Sequence, residues 1–357
     1  MTSNTALTFG QIGVAPRSRH SARSHLAEID FSNTAEQPDC IFYSRLPAEV
    51  RTIIFEYALV PDPDLKKPYA PNRVFYRPYL RHHPKTRVAL LRTCKLVFRE
   101  TRLMPVAQAT HYFWLFGGPW RYMKNGVHGQ GDWALWARSL SEPQRAAVQH
   151  VHIFAQQFAL EGLGGATVPR SWGSIATRSL RLTFRHSDWW SWESPAESSD
   201  KMGICPWLRG RTSRQDMLAQ PLVLSHEQIH EQMADGTWGY QVGLVRGLQR
   251  LEIEFETDVL KKEQLEKVLD RAQHWVFPLQ GRDAVLMKHG DVVESYWDGM
   301  ADLKDDNAYP LQRRQSMSSF TRATKEPQRT YYTAVMTWKV VSTTRQEYVA
   351  EVPRAYS

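Results

Sequence analysis

Only three cysteines occur in the 357 residues, at positions 40, 94 and 205, and no two of them form a C-x-x-C pair. So sparse and odd a set excludes a disulfide framework and a cysteine zinc cluster, and it fits a reducing compartment. Long apolar runs are missing too. No stretch approaches the roughly 18 residues that a membrane helix needs, and no secretory leader is evident. G-x-G-x-x-G, Walker and G-x-S-x-G sequences are absent, so nothing marks a phosphate loop or a serine nucleophile elbow. No small-molecule substrate or cofactor is evident.

What the chain does have is charge and tryptophan. Lys and Arg number 45 against 37 Asp and Glu, a net charge of +8. The excess is scattered over "RSRHSARSH", "LRHHPKTR", "RGRTSR" and "LQRRQ" rather than gathered on one helix. Specific nucleic-acid binding does not follow from such a spread, although a basic polyanion-binding module stays open as one function class. The 13 Trp imply a substantial core in which each indole N–H finds an acceptor.

Residues 1–38 lack a sustained apolar period and read as a disordered, solvated tail. Acidic residues are scarce there, as in a mitochondrial leader, but no amphipathic Arg-bearing helix accompanies them. The expected location is the cytoplasm or nucleus. Order is expected from "CIFYSRLPAEVRTIIFEYALV" onward, with Ser44 or Pro47 opening a helix. Val50, Ile53, Ile54 and Tyr57 recur at i, i+3, i+4, i+7, which predicts one buried helical face. "VPDPD" ends that helix. Residues 61–86 form a proline-rich extended insertion. A second helix is expected over "RVALLRTCKLVFRETRLM", with Leu90, Leu91, Cys94, Val97 and Phe98 on one face.

The remainder, 119–357, alternates strands and helices. "HYFWLF" comes just before it, and "VHIFA", "LRLTFRH", "LEIEFE" and "TYYTAVMTWKVV" are strand-like. In the middle ones the even spacing sets Leu, Ile, Val and Phe inward. Arg181, Arg185, Glu252, Glu254 and Glu256 are then expected on a wet face, with the two strands adjacent so that opposite charges meet. "KKEQLEKVLDRAQHWV" predicts a helix with Leu265, Val268, Leu269 and Ala272 buried. Long loops are expected at 186–215 and 303–329. In the second, "RRQS" at Arg313–Ser316 has the form favoured by basophilic kinases.

"LVLSHEQIHEQM" contains His226-Glu227-Gln228-Ile229-His230, the H-E-x-x-H pattern in which two imidazoles one turn apart bind zinc and the Glu acts as base. Its surroundings favour a short capped helix. Ser225 and Gln228 have the spacing of a capping box, Leu224 and Ile229 that of a hydrophobic staple, and Gly236 ends the segment. His226 then falls at the helix start, and the downstream carboxylates Glu252, Glu254 and Glu256 lie on a strand. No metal site and no catalytic residue is assigned. A zinc-dependent hydrolase using His226 and His230 is carried as the competing class.

"FYSRLPAEVRTIIFEYAL" resembles the opening helix of F-box-like proteins, closest to large fungal families with an "LP-x-E-x-R" start. The matching residues are Leu46, Pro47, Glu49, Arg51, Ile54, Ala58 and Leu59. "LLRTCKLVFRE" at 90–100 matches the second block of those families, and "HYFWLF" matches their following strand loosely. The resemblance covers 39–118, and the insertion at 61–86 departs from it. It implies a protein–protein interaction role, as a substrate-recruiting subunit of a cullin–RING ubiquitin ligase. Leu46, Pro47, Glu49, Arg51 and Ile54 would bind a Skp-family adaptor and, through it, the cullin. The expected fold is α/β: a small helical F-box-like head and an irregular strand-and-helix body in the style of a degenerate leucine-rich repeat.

Overall fold

Side chains of alternating polarity build the strands of an α/β fold, seen in a computed structural model that describes residues 31–73, 75–115, 136–161, 176–222, 236–300 and 328–342. The head contains α1 (Ile41–Ser44) and α2 (Ala48–Leu59). A hairpin follows, made of β1 (Asp62–Pro68) and β2 (His82–Lys85). Then come α3 (Lys95–Thr101) and α4 (Met104–Gln108). The second expected helix is interrupted. Residues Leu90–Arg92 form one 3₁₀ turn, and Cys94 is extended, with φ −153° and ψ 165°. Leu96 and Val97 are buried, while Leu90, Leu91, Cys94 and Phe98 are half-buried, so the expected face is split by that break. Within the expected tail, Phe31 stacks on Phe98 at 6.3 Å and lies under the Arg102 guanidinium.

The body is one mixed sheet. Strands β3 (Thr110–Trp114), β4 (His150–Phe154), β5 (Ser179–Phe184) and β6 (Arg250–Asp258) run parallel and lie side by side in chain order. The 15-residue β10 (Gln328–Ser342) runs antiparallel to β6. Along its other edge it pairs first with β9 (Val293–Met300) and then with β8 (Ala284–Lys288). The two-residue β7 (Phe277–Pro278) closes that side. Residues 289–292 bulge between β8 and β9, with Gly290 at φ 70° and the His289 N–H donating to the Thr337 carbonyl at 2.8 Å.

Short helices occupy the crossovers: α5 (Glu142–Ala147), α6 (Gln157–Leu160), α7 (Arg214–Ala219), α8 (Trp238–Gly243) and α9 (Lys262–Ala272). Serine capping boxes start α5 and α7. The apolar sheet face carries Ile153, Leu182, Ile253, Phe255 and Met336, and α9 buries Leu265, Val268, Leu269 and Ala272 against the same core. The core is rich in indoles, and three of their N–H groups donate to backbone carbonyls: Trp338 to Trp275, Trp238 to Cys205 and Trp189 to Glu256, at 2.8–3.0 Å. The stretch 186–215, expected as a loop, is irregular but inward-facing. Trp189, Met202, Ile204, Cys205 and Trp207 all belong to the core.

The opposite sheet face is not wet. Glu254 and Glu256 are only 1% and 0% exposed. The insertion crosses above them as a strap, placing Tyr69, Phe75 and Leu80 against Trp114 and Phe154. Polar residues at every second position satisfy a polar cover as well as they satisfy water, so alternation alone could not separate the two. Among the described residues, no helix is long and apolar enough to cross a membrane.

Candidate docking surface and the buried polar network

Two periodic sets of apolar residues are interleaved on α2. Phe55 and Leu59, one turn apart, face inward and are buried, and Phe55 meets the Phe42 ring at 5.2 Å. The stripe expected to be core faces out. Ile53 is 52% exposed, Tyr57 79%, and Val50 and Ile54 40% each. Ile41, which opens α1, and Val60, which follows α2, are exposed as well. The sequence reading of this helix is therefore inverted, because a helix 12 residues long cannot bury both sets against one small head. Grouped apolar exposure of this kind on a helix is a mark of an interaction surface.

The residues expected to bind an adaptor divide between two jobs. Pro47, Glu49 and Ile54 are exposed, and Leu46 is half-buried. Arg51 turns the other way. Its guanidinium makes a two-pronged pair with Glu100 at 3.2 and 3.4 Å, donates to the Leu46 carbonyl at 2.7 Å and covers the Tyr43 ring at 4.9 Å. Arg51 and Glu100 stand in the two separate blocks that carry the F-box-like resemblance, so the pair closes the head across the insertion. Ile53 and Tyr57, the most exposed members of the face, were missed as contact residues. Their helical spacing was visible in the sequence but had been assigned to the core.

Under the strap lies a network of charges. The Glu256 carboxylate accepts from Trp297 Nε1 at 3.1 Å and from the His186 backbone N–H at 3.2 Å, and pairs with Arg77 at 3.3 Å. Both charged side chains are almost wholly buried. Burial pushes this carboxyl up, but the Arg77 charge and the contacts from His186 outweigh burial and hold it at about 2. Next to it, the Tyr79 hydroxyl donates to Glu254 at 2.8 Å, and Arg181 pairs with the same carboxylate. Burial, and then the Glu254 charge, push the Tyr79 hydroxyl well above its usual range. Arg181 also reaches Glu252 across the adjacent strand at 3.8 Å. The expected meeting of opposite charges between β5 and β6 thus occurs at Arg181. Arg185 instead pairs with Asp188 at 2.7 Å, buried rather than outward.

This network is structural in its chemistry. Every carboxylate on β6 has a committed partner, since Glu252 also pairs with Arg250. Burial keeps His152 well below its usual range, with Arg181 and Arg77 adding to the effect, and its ring meets the Thr183 hydroxyl at 2.8 Å. Burial likewise raises the Cys205 thiol to about 11, which leaves it a poor nucleophile. Among the described residues, no three His, Cys, Asp or Glu side chains are grouped to hold a metal ion. His226, Glu227, His230 and Ser316 lie outside the described residues. Two of the basic stretches are partly spent on internal bonds: Arg87 pairs with Asp62, Arg211 with Asp200, and Arg214 donates to the carbonyls of Met202 and Gln264. No family model matches the chain, and neither a curated protein nor a solved structure is found similar to it.

Proposed function

We propose that this is an interaction protein that docks a partner through the outer face of α2 and presents the sheet body to a second protein. The observation that carries the reading is the exposure of Val50, Ile53, Ile54 and Tyr57 on a helix already anchored by Phe55, Leu59 and Arg51. Such residues cost the folded state solvation without returning stability, and a partner's apolar surface would relieve that cost. The resemblance of residues 46–59 and 90–100 to F-box-like helices names the partner class: a Skp-family adaptor of a cullin–RING ubiquitin ligase. In that reading the body recruits the substrate. Its four parallel strands in chain order support a degenerate leucine-rich-repeat style of sheet.

The test is a paired pull-down and thermal melt on the full chain. Ile53→Asp with Tyr57→Ala should leave the melting temperature within about 2 °C, since surface changes are typically within about 0.5 kcal/mol. The same variant should lose recovery of the adaptor. A wild-type chain that recovers no adaptor from its own cell extract, or a double variant that still recovers it, would sink the proposal.

A further inference from the structure

Two carboxylates in this fold are almost equally buried and are shifted in opposite directions. Glu256 has a guanidinium beside it and is held low. Glu161, at the end of α6, is 4% exposed, and among the described residues no ion pair forms with it. Among the described residues its oxygens accept only from neutral donors. Gln157 Nε2 is at 2.9 Å and the Thr212 backbone N–H at 3.2 Å, both on Oε1. Trp190 Nε1 is at 2.5 Å on Oε2. These donors come from three different stretches of chain. The Glu161 carbonyl also accepts from the Gly210 N–H, and Gln157 extends the contact to the Gly203 carbonyl and the Trp190 N–H.

We propose that Glu161 is a proton-operated clasp that holds Trp190 and the 203–213 segment against α6 while protonated and loosens them when it ionises. The place for the added proton is present. The Thr212 hydroxyl is buried beside the same carboxyl with no hydrogen-bond partner among the described residues, so its oxygen can accept from the protonated acid. The charged groups described on the surrounding elements are engaged elsewhere and do not compensate the anion. Arg211 lies over the Trp190 ring at 5.3 Å and pairs with Asp200. Arg185 is spent on Asp188, and Arg271, on α9, donates to the carbonyl of Met217. His186 is beside Glu256. Arg209 lies by Gly236, and the Cys205 thiol stays neutral.

Burial therefore dominates, and despite the donors from Gln157, Trp190 and Thr212 it raises the Glu161 carboxyl from 4.5 to about 7. The sign follows. The closed clasp binds the proton more tightly than the open one does. Closure is fully favoured below about 4.5, weakens as pH rises through 7, and levels off above it. This device sits in the body and does not depend on the docking reading.

The test is amide hydrogen exchange at Thr212 and Trp190 between pH 5 and 8.5, corrected for intrinsic rates. Opening at these two amides should rise roughly tenfold per pH unit from 5 to 7 and then flatten. Glu161→Gln should abolish that slope. Trp190→Phe, which removes one donor from the anion while keeping the carboxyl, should move the midpoint upward and covers the case in which the Gln variant does not fold. Protection that is flat across the range in the wild type, a slope unchanged by Glu161→Gln, or a midpoint unmoved in Trp190→Phe would overturn the proposal.

Discussion

Replacing Arg77 by Met should do more than lower stability; it should reverse the direction in which acid acts on the protein. In the wild type, the Glu256 carboxyl sits at about 2 in the folded chain against a usual 4.5. That drop corresponds to about 3 kcal/mol of folding free energy. Because the folded value is the lower one, this contribution is present above 4.5 and is lost as pH falls from 4.5 toward 2. Both side chains are essentially unexposed, so solvent screening takes little from it. Met in place of Arg77 keeps apolar bulk against the Trp297 ring but strands a buried carboxylate. Breaking one side of such a pair costs about 3–5 kcal/mol. Burial is then opposed only by the His186 and Trp297 contacts, without the Arg77 charge. The carboxyl should move up, so acid should stabilise the variant between pH 7 and 5, where the wild type is nearly flat from this source. Chemical denaturation at pH 5, 6 and 7 reads the difference. Arg77→Met with Glu256→Gln should recover much of the loss, since the buried charge is then gone. If the single variant and the wild type show parallel pH profiles, the argument about this pair is wrong.

Three other expectations can be checked by simple measurements. Phe55→Ala should cost about 3–5 kcal/mol while Ile53→Ala costs under about 1 kcal/mol, because only Phe55 faces the head's interior; equal losses in urea titrations would contradict the orientation of α2. At Gly243 an added Cβ would lie 2.3 Å from the Pro278 carbonyl oxygen, so Gly243→Ala should lower stability by about 1–3 kcal/mol by forcing α8 off β7, and an unchanged melt would refute the contact. The capping pattern at Ser225 and Gln228 leads us to expect no stoichiometric zinc; one equivalent by elemental analysis that vanishes in His230→Ala would restore the hydrolase reading.

How much of this was legible depends on which physical signal each element carries. β4, β5 and β6 were readable because Val151, Leu182, Ile253 and their neighbours alternate cleanly, and α9 because its apolar stripe is narrow. β8 and β9 were not. The bulge at 289–292 breaks the period, and "VESYWDGM" carries too few apolar residues to stand out. The outer face of α2 was seen and turned around. Phe55/Leu59 and Ile53/Tyr57 are both valid helical sets, and only the neighbours in space decide which is buried. The charge network was half visible. Arg181 opposite Glu252 follows from adjacent strands, but nothing near Glu256 in the chain points to Arg77 in the strap.

The insertion that departs from the F-box-like pattern also explains how so small a head stays in place. It leaves α2 almost at once, since β1 begins at Asp62, and returns to α3 after β2 and the turn at Leu90–Arg92. Between those points it sets Arg77 and Tyr79 onto Glu256 and Glu254 of β6, in the middle of the sheet. At its base, Arg51 and Glu100 join the two helices that flank it. The head is thus held by charge pairs at the base of the strap and part-way along it, one partly solvated and one fully buried. The buried one is the costlier to break, because removing either partner leaves an uncompensated buried charge. A partner seated on Ile53 and Tyr57 would therefore be held in a defined position relative to β6. The strap that interrupts the two motif blocks is what ties α2 to the body.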